Sequence, residues 1–128
     1  MNLTLQSSLM IPSCRGDYGY LNFEFLLRLT QKYNFHTTIA FFPHNYRRNS
    51  DRIIRMFREN SDRLSICFHG NDHTAAELAS TDTALLDTML GIAEERMNAH
   101  EQTTGLRCGK VMVFPQGRFS VEAMEVLK

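Results

Sequence analysis

The sequence predicts an α/β fold made of parallel β-α repeats, on the strength of three observations. Four apolar runs of five or six residues alternate along the 128 residues with longer segments whose apolar residues recur at helical spacing. Each run is followed by residues that favour turns, and no long linker interrupts the series. Right-handed crossovers then give a parallel sheet with helices outside it, either an open doubly wound sheet or part of a (β/α) barrel.

The first repeat is predicted to start with a strand over Leu9–Cys14, which ends in the turn-forming segment Arg15–Gly19. A helix follows over Leu21–Tyr33, where apolar residues recur every three or four positions, and Asn34 is suited to end it. The second repeat opens with Thr37–Phe42, a segment rich in β-branched and aromatic residues, as buried strands are.

The remaining elements follow the same alternation. Ser50 and Asp51 are predicted to cap a second helix that runs through Arg58 or Glu59. The later elements are a strand over Leu64–Phe68, a helix from Thr81–Thr83 to about His100 closed by Gly105, a strand over Lys110–Phe114 ended by Pro115, and a helix capped by Ser120 that continues to the last residue.

Composition and charge fit a soluble globular domain, with 43% hydrophobic and 22% charged residues. Because 14 basic residues balance 14 acidic ones, long-range electrostatics favour neither nucleic acid nor a membrane as a partner. The arginine-rich segment 47–58 also contains acidic and apolar residues, which predicts the solvated face of a helix. With no basic leader, no membrane-length apolar stretch and three cysteines in no paired spacing, we expect a cytoplasmic protein with reduced thiols.

Polar and turn residues follow the end of every predicted strand. Asp17 follows the first strand, Pro43-His44 the second, His69 to His73 the third, and Pro115 to Gly117 the fourth. In both parallel architectures the carboxyl ends of the strands meet at one edge, where binding and catalytic sites are assembled. We therefore expect a functional site at this edge.

His69 and His73 are candidate metal ligands, because two imidazoles four residues apart converge on one ion if the loop makes about one helical turn. Taken alone, this spacing is better explained by two polar loop histidines. Asp17 changes that balance, since it adds a third ligand and leaves a coordination position open for water, as in catalytic metal sites. On local sequence alone, an Asx-turn role for Asp17 is an equal alternative.

These features occur in an order that resembles a known family. Asp17, the segment Thr38–Pro43, the His69-x-x-x-His73 pair and the Phe114–Gly117 turn are similar to motifs of the polysaccharide deacetylases of carbohydrate esterase family 4. The resemblance implies a partial or irregular (β/α) barrel of the polysaccharide deacetylase type. Residues 1–128 would form one domain, the N-terminal part of a longer barrel.

The resemblance also implies a metal-dependent activity. Zinc or another divalent metal ion would be bound by Asp17, His69 and His73, and metal-activated water would remove N- or O-acetyl groups from a carbohydrate. This chemistry is physically sound, because a divalent ion lowers the pKa of its bound water and offsets the charge of the oxyanion.

Further residues are expected beside this candidate site. Pro115 and Gly117 match the third motif of the family and would shape the substrate groove. His44 and Tyr18 lie at the same predicted edge and are candidates for lining that groove, with ordinary loop and packing roles as the alternatives. His100, at a predicted helix end, is expected to interact with the helix dipole, away from the site.

Two of three departures from the family pattern, those at Gly16 and Val113, favour an alternative function. Gly16 stands where the family has the aspartate that serves as general base, and Asp72 is a candidate substitute for it. Val113 stands where the third motif has an arginine, and the family's general-acid histidine would lie beyond Lys128. The alternative is a catalytically impaired, deacetylase-like module that binds carbohydrate or another protein. An unrelated open α/β binding protein is a third possibility.

The length of the chain bears on its partners. Four β-α repeats make about half of a barrel of roughly 250 residues. We therefore expect either a missing C-terminal half of the barrel or a second copy of the chain to cover the apolar edge of the sheet.

Overall fold

The computed structural model describes residues 22–45, 47 and 50–128. The predicted strand Leu9–Cys14, and with it Asp17 and Tyr18, lies outside the described residues. The described elements are α1 (Phe23–Tyr33), β1 (Thr37–Phe41), α2 (Asp51–Glu59), β2 (Leu64–Phe68), α3 (Thr83–Thr104), β3 (Cys108–Met112) and α4 (Val121–Val126). Single turns of 3-10 helix, Pro43–Asn45 and Pro115–Gly117, follow β1 and β3.

The described strands form one parallel sheet in the order β1-β2-β3. In the β1-β2 register Ile39 lies beside Ile66 and Phe41 beside Phe68, whereas the pairing of β2 with β3 shifts between Cys67 and Phe68. A helix connects each strand to the next, as parallel pairing requires. The predicted α/β fold with parallel β-α repeats is confirmed.

Local signals at the helix ends behave largely as predicted. Asn34 adopts the left-handed conformation, with φ of 51°, and ends α1. The hydroxyl of Ser120 accepts a hydrogen bond from the backbone N–H of Ala123 at 3.0 Å and so caps α4. Ser50 does precede α2 with extended backbone, but its side chain makes no capping hydrogen bond, which corrects that part of the prediction.

Two predicted boundaries were wrong. α3 continues one turn past the predicted end, because the hydroxyls of Thr103 and Thr104 bond back to helix carbonyls at 2.8 Å and the left-handed Gly105 comes only afterwards. β3 covers Cys108–Met112 rather than residues 110–114, since pairing with β2 begins at Cys108. Gly109 gives this part of the strand no apolar signature.

The core lies between the sheet and its helices. Its main cluster is fully buried and draws on both β1 and β2, and it comprises Ile39, Phe57, Leu64, Ile66 and Met97. A second cluster joins α3 and α4 to the loop before α3, and it comprises Leu78, Leu86 and Ala123. Across the described ranges, no helix combines the length and apolarity needed to cross a bilayer.

His100 corrects another expectation. His100 belongs to α3, and its side chain is buried. Its ring centre lies 5.0 Å from that of Phe41. Burial lowers the pKa of His100, which is the opposite of what a stabilising contact with the carboxyl end of a helix dipole does. The reason is the extra turn of α3, which places His100 over the sheet.

Candidate metal centre

The loops after all three described strands meet at the carboxyl edge of the sheet. The backbone N–H of His69 donates to the carbonyl of Phe41 at 3.0 Å, and that of His44 donates to the carbonyl of Asn71 at 3.0 Å. On the other side, Val113 donates to the carbonyl of Phe68 at 2.9 Å. These bonds continue the parallel ladder past the strand ends and bring the predicted site residues of three loops together.

The imidazoles of His69 and His73 lie side by side. Their ring centres are 4.9 Å apart and the ring planes are inclined by 50°. Histidine nitrogens bind zinc at about 2 Å, so one nitrogen from each ring can reach a common ion at this separation. The two rings are therefore neighbours in the fold, and their role as metal ligands stays a prediction.

The backbone of β3 orients the His69 ring. Nδ1 of His69 lies 2.7 Å from the carbonyl oxygen of Val113 and must donate to it. This bond leaves the Nε2 lone pair for a metal, and a backbone carbonyl is a common outer partner of metal-bound histidine. Burial lowers the pKa of His69, the Val113 carbonyl opposes that effect, and the proximity of His73 lowers it further. The result favours the neutral ring that metals bind.

His73 occupies a strained backbone position. Its φ is 61°, in the left-handed region, and its ring also contacts that of Phe42 at 5.9 Å between centres. A left-handed conformation costs about 1–2 kcal/mol in residues other than glycine. Strain of this kind is concentrated at functional sites, where the surrounding contacts hold it in place.

Two carboxyl groups lie in the same loop. Asp72 accepts a hydrogen bond from the backbone N–H of Thr74 at 3.2 Å. Burial works against ionisation of Asp72, but hydrogen bonds from Glu77 and Thr74 outweigh it, and the net effect is a lowered pKa. Burial and the neighbouring Asp72 both raise the pKa of Glu77. The two shifts are opposite in direction, so Asp72 loses its proton more readily than Glu77 does.

The loop between the histidines is packed closely. Gly70 has φ of 70°, and a Cβ at this position would overlap Oε1 of Glu77 and lie 2.7 Å from Cγ of Pro115. Glycine is therefore required here on two grounds, its conformation and its lack of a side chain. The buried Pro115 thus packs directly beside the residue that follows His69.

The other predicted residues are placed as follows. His44 is exposed at the rim of this edge, and Gly117 is exposed with open space around it. Asp17 and Tyr18 belong to the undescribed segment, so their roles as ligand and groove residue stay predictions. Within residues 22–45, 47 and 50–128, no three His, Cys, Asp or Glu side chains converge as a metal site, so a third ligand would have to come from elsewhere.

Sequence reasoning missed two residues of this edge. Glu77 accepts the backbone N–H groups of Asn71 at 3.1 Å and of Asp72 at 3.2 Å, and Arg96 donates to the side-chain oxygen of Asn71 at 2.8 Å. Glu77 stands in a loop with no recognisable motif, and Arg96 lies on α3, 25 residues from its partner. No local signal identifies either one.

The edge and the fold together define an α/β protein with a candidate site at the carboxyl ends of parallel strands. No protein-family model matches the chain, and no curated protein does. Solved structures do match. A carbohydrate esterase family 4 pseudoenzyme from Bacillus anthracis aligns with 78% of this chain and 32% of its own, at a TM-score of 0.59 and 14% identity.

Two further structures agree. A mutant of that pseudoenzyme with restored enzymatic activity gives a TM-score of 0.57 at 14% identity, over 78% of this chain and 34% of its own. A family 4 carbohydrate esterase from Streptomyces lividans, in complex with acetate, gives 0.55 at 14% identity, over 81% of this chain and 50% of its own. The chain thus has a polysaccharide deacetylase-like fold and spans between a third and a half of the structures it matches.

Proposed function

We propose that this chain carries the metal-binding part of a hydrolase that removes acetyl groups from a carbohydrate. The observation that carries the proposal is the His69-His73 pair, with ring centres 4.9 Å apart and Nδ1 of His69 bound to the Val113 carbonyl. The arrangement suits zinc or another divalent ion, whose third protein ligand would be Asp17. The polysaccharide deacetylase-like fold supports the substrate class.

Each residue of the candidate site would have a distinct role in the reaction. His69 and His73 would bind the ion, and the Val113 carbonyl would hold the His69 ring in the tautomer that exposes Nε2. The bound ion would supply Lewis acidity and a lowered pKa for water. Asp72 is the carboxylate closest in sequence to these ligands, and it would accept a proton as the general base. His44 would line the groove at the exposed rim.

Metal analysis tests the proposal. The purified chain, after removal of metal and incubation with zinc, should retain close to one ion per site, and the double variant His69→Ala, His73→Ala should retain almost none. The matched control is His36→Ala, at the opposite edge of the sheet, which should bind as the wild type does. Equal zinc contents in the wild type and the double variant would refute the metal site.

A second candidate function has its own support. Gly16 replaces the expected base, Val113 replaces the expected arginine, and a pseudoenzyme shares the fold. The chain would then be an impaired, deacetylase-like module that keeps the metal and binds carbohydrate or another protein. Acetate release from acetylated chito-oligomers or acetylxylan, measured with zinc and with a chelator, separates the two. If the missing base is the cause, Gly16→Asp should raise acetate release.

The proposal also covers the domain organisation of the protein. Residues 1–128 would be one domain and the N-terminal part of a longer barrel, completed by a C-terminal half or by a second copy. β3 is consistent with such a partner, because Lys110 and Val111 are exposed along it. Acetate release should therefore be measured on the longest available form of the protein, and the solution mass of the chain should be measured beside it.

A further inference from the structure

The segment Gly70–Asp72 connects the two candidate ligands and determines how their rings face each other. It contains a left-handed Gly70 and leads into a left-handed His73, with φ of 70° and 61°. At His73, which is not glycine, this conformation is strained and needs contacts from outside to persist. The described residues supply these contacts from two directions.

Glu77 holds the segment through its backbone. Its two carboxyl oxygens accept consecutive N–H groups, those of Asn71 at 3.1 Å and of Asp72 at 3.2 Å. Glu77 is half-buried, and its Oε1 occupies the space that a side chain at Gly70 would need. A carboxyl group that binds two successive backbone N–H groups fixes the peptide planes between them, and hence the direction in which the chain leaves towards His73.

Arg96 holds the same segment through a side chain. It lies on α3 and donates to Oδ1 of Asn71 at 2.8 Å. Asn71 is only 8% exposed, and its carbonyl accepts the backbone N–H of His44. Asn71 therefore links the loop after β1, the loop after β2 and α3, and the guanidinium of Arg96 fixes that link from the helix.

We infer that Glu77 and Arg96 are positioning residues that hold the Gly70–Asp72 segment so that His69 and His73 face one ion. The inference rests on the metal site of the proposed function. Neither residue would touch the ion, and each would act through the loop. Removal of a direct hydrogen-bond partner of a metal ligand typically weakens binding by 10- to 100-fold, so residues that act one contact further out should cost about 10-fold or less.

Cobalt titration, followed by the visible absorption of the bound ion, tests the inference. Glu77→Ala should raise the dissociation constant severalfold, up to about 10-fold, and Glu77→Gln, which keeps one acceptor oxygen, should raise it distinctly less. Arg96→Ala should weaken binding as well. The controls are Glu95→Ala on the exposed side of α3 and Arg107→Ala at the opposite edge, both expected to bind as the wild type does.

Thermal unfolding of each variant shows whether that variant is folded. A folded Glu77→Ala variant that binds cobalt with wild-type affinity and spectrum would overturn the role of Glu77. If the wild type itself binds no cobalt, the proposed metal site is wrong. Amide exchange of the metal-free protein then decides the loop contact by itself. Faster exchange at Asn71 and Asp72 in Glu77→Ala, restored in part by Glu77→Gln, would support it, and unchanged exchange would overturn it.

Discussion

The two edges of the sheet each hold a histidine at a strand end, and the two rings are bonded differently. At the amino edge, Nδ1 of His36 donates to the carbonyl of Asp62 at 3.0 Å and Nε2 accepts the hydroxyl of Ser65 at 2.8 Å. At the carboxyl edge, Nδ1 of His69 is bound to Val113, and among the described residues Nε2 has no protein partner.

The difference separates a structural histidine from one that is available to a ligand. Both ring nitrogens of His36 are used by the protein, and Ser65 in turn bonds to the hydroxyl of Thr38 at 2.9 Å. A half-buried polar network that is satisfied in this way stabilises the strand pair. At the other edge, one fixed nitrogen and one open nitrogen are what a metal ligand needs.

The largest expected effect contrasts two left-handed glycines, one at each edge. Gly70→Ala should lower the free energy of unfolding by roughly 3 kcal/mol, because conformational strain adds to the overlap with Glu77 and Pro115. Gly105→Ala, with the same φ of 70° but 3.8 Å to the nearest atom of Arg58, should cost only about 1 kcal/mol. Chemical denaturation measures both, and equal losses would contradict the close packing around Gly70.

The next effect concerns His36. His36→Ala should lower the free energy of unfolding by about 1–3 kcal/mol, since it leaves the Asp62 carbonyl and the Ser65 hydroxyl without this partner. The substitution should leave zinc binding unchanged. His69→Ala should also lower the free energy of unfolding, because His69 is buried and bonded to the Val113 carbonyl, but it should in addition abolish zinc binding. A His36→Ala variant that loses zinc would break the proposed contrast between the edges.

A smaller effect appears in the pH dependence of stability. Burial lowers the pKa of both His69 and His100 in the folded protein. As pH falls through the ordinary histidine pKa of about 6.5, the unfolded chain takes up protons that these folded rings resist, so the metal-free protein should lose stability. His100→Leu should flatten the slope between pH 7 and the lowered pKa values. Denaturation series across this range would show it, and an unchanged slope would contradict the burial of His100.

The smallest effect is expected at Val113, because its contact with His69 uses the backbone. Val113→Ala should preserve the hydrogen bond to Nδ1 of His69. Because the Val113 side chain is half-buried, the substitution should lower the free energy of unfolding by about 1 kcal/mol or less. Zinc affinity should stay within about twofold of the wild type. A large loss of affinity would mean that the Val113 side chain, rather than its carbonyl, orients the site.

Much of the fold could be read from the sequence, because the relevant interactions are local. Alternating apolar runs predicted each described helix and strand, and Asn34 and Ser120 marked an end and a start within the reach of one helical turn. The same pattern placed His44, His69 and Pro115 after strand ends, and a parallel sheet then requires them to share an edge. The exact limits of α3 and β3 were not predicted. Hydroxyl contacts in its last turn determine where α3 ends, and pairing with β2 determines the limits of β3.

The sequence by itself determined which residues follow the strand ends, and element order with parallel pairing then places those residues at the carboxyl edge. Tertiary structure alone decided what each of them does there. The His69-Val113 contact spans 44 residues and the Arg96-Asn71 contact spans 25, and both depend on strand register and on the height at which α3 crosses the sheet. Hydrogen bonds between distant segments fix a ring's tautomer and a loop's direction, and no short-range pattern encodes them.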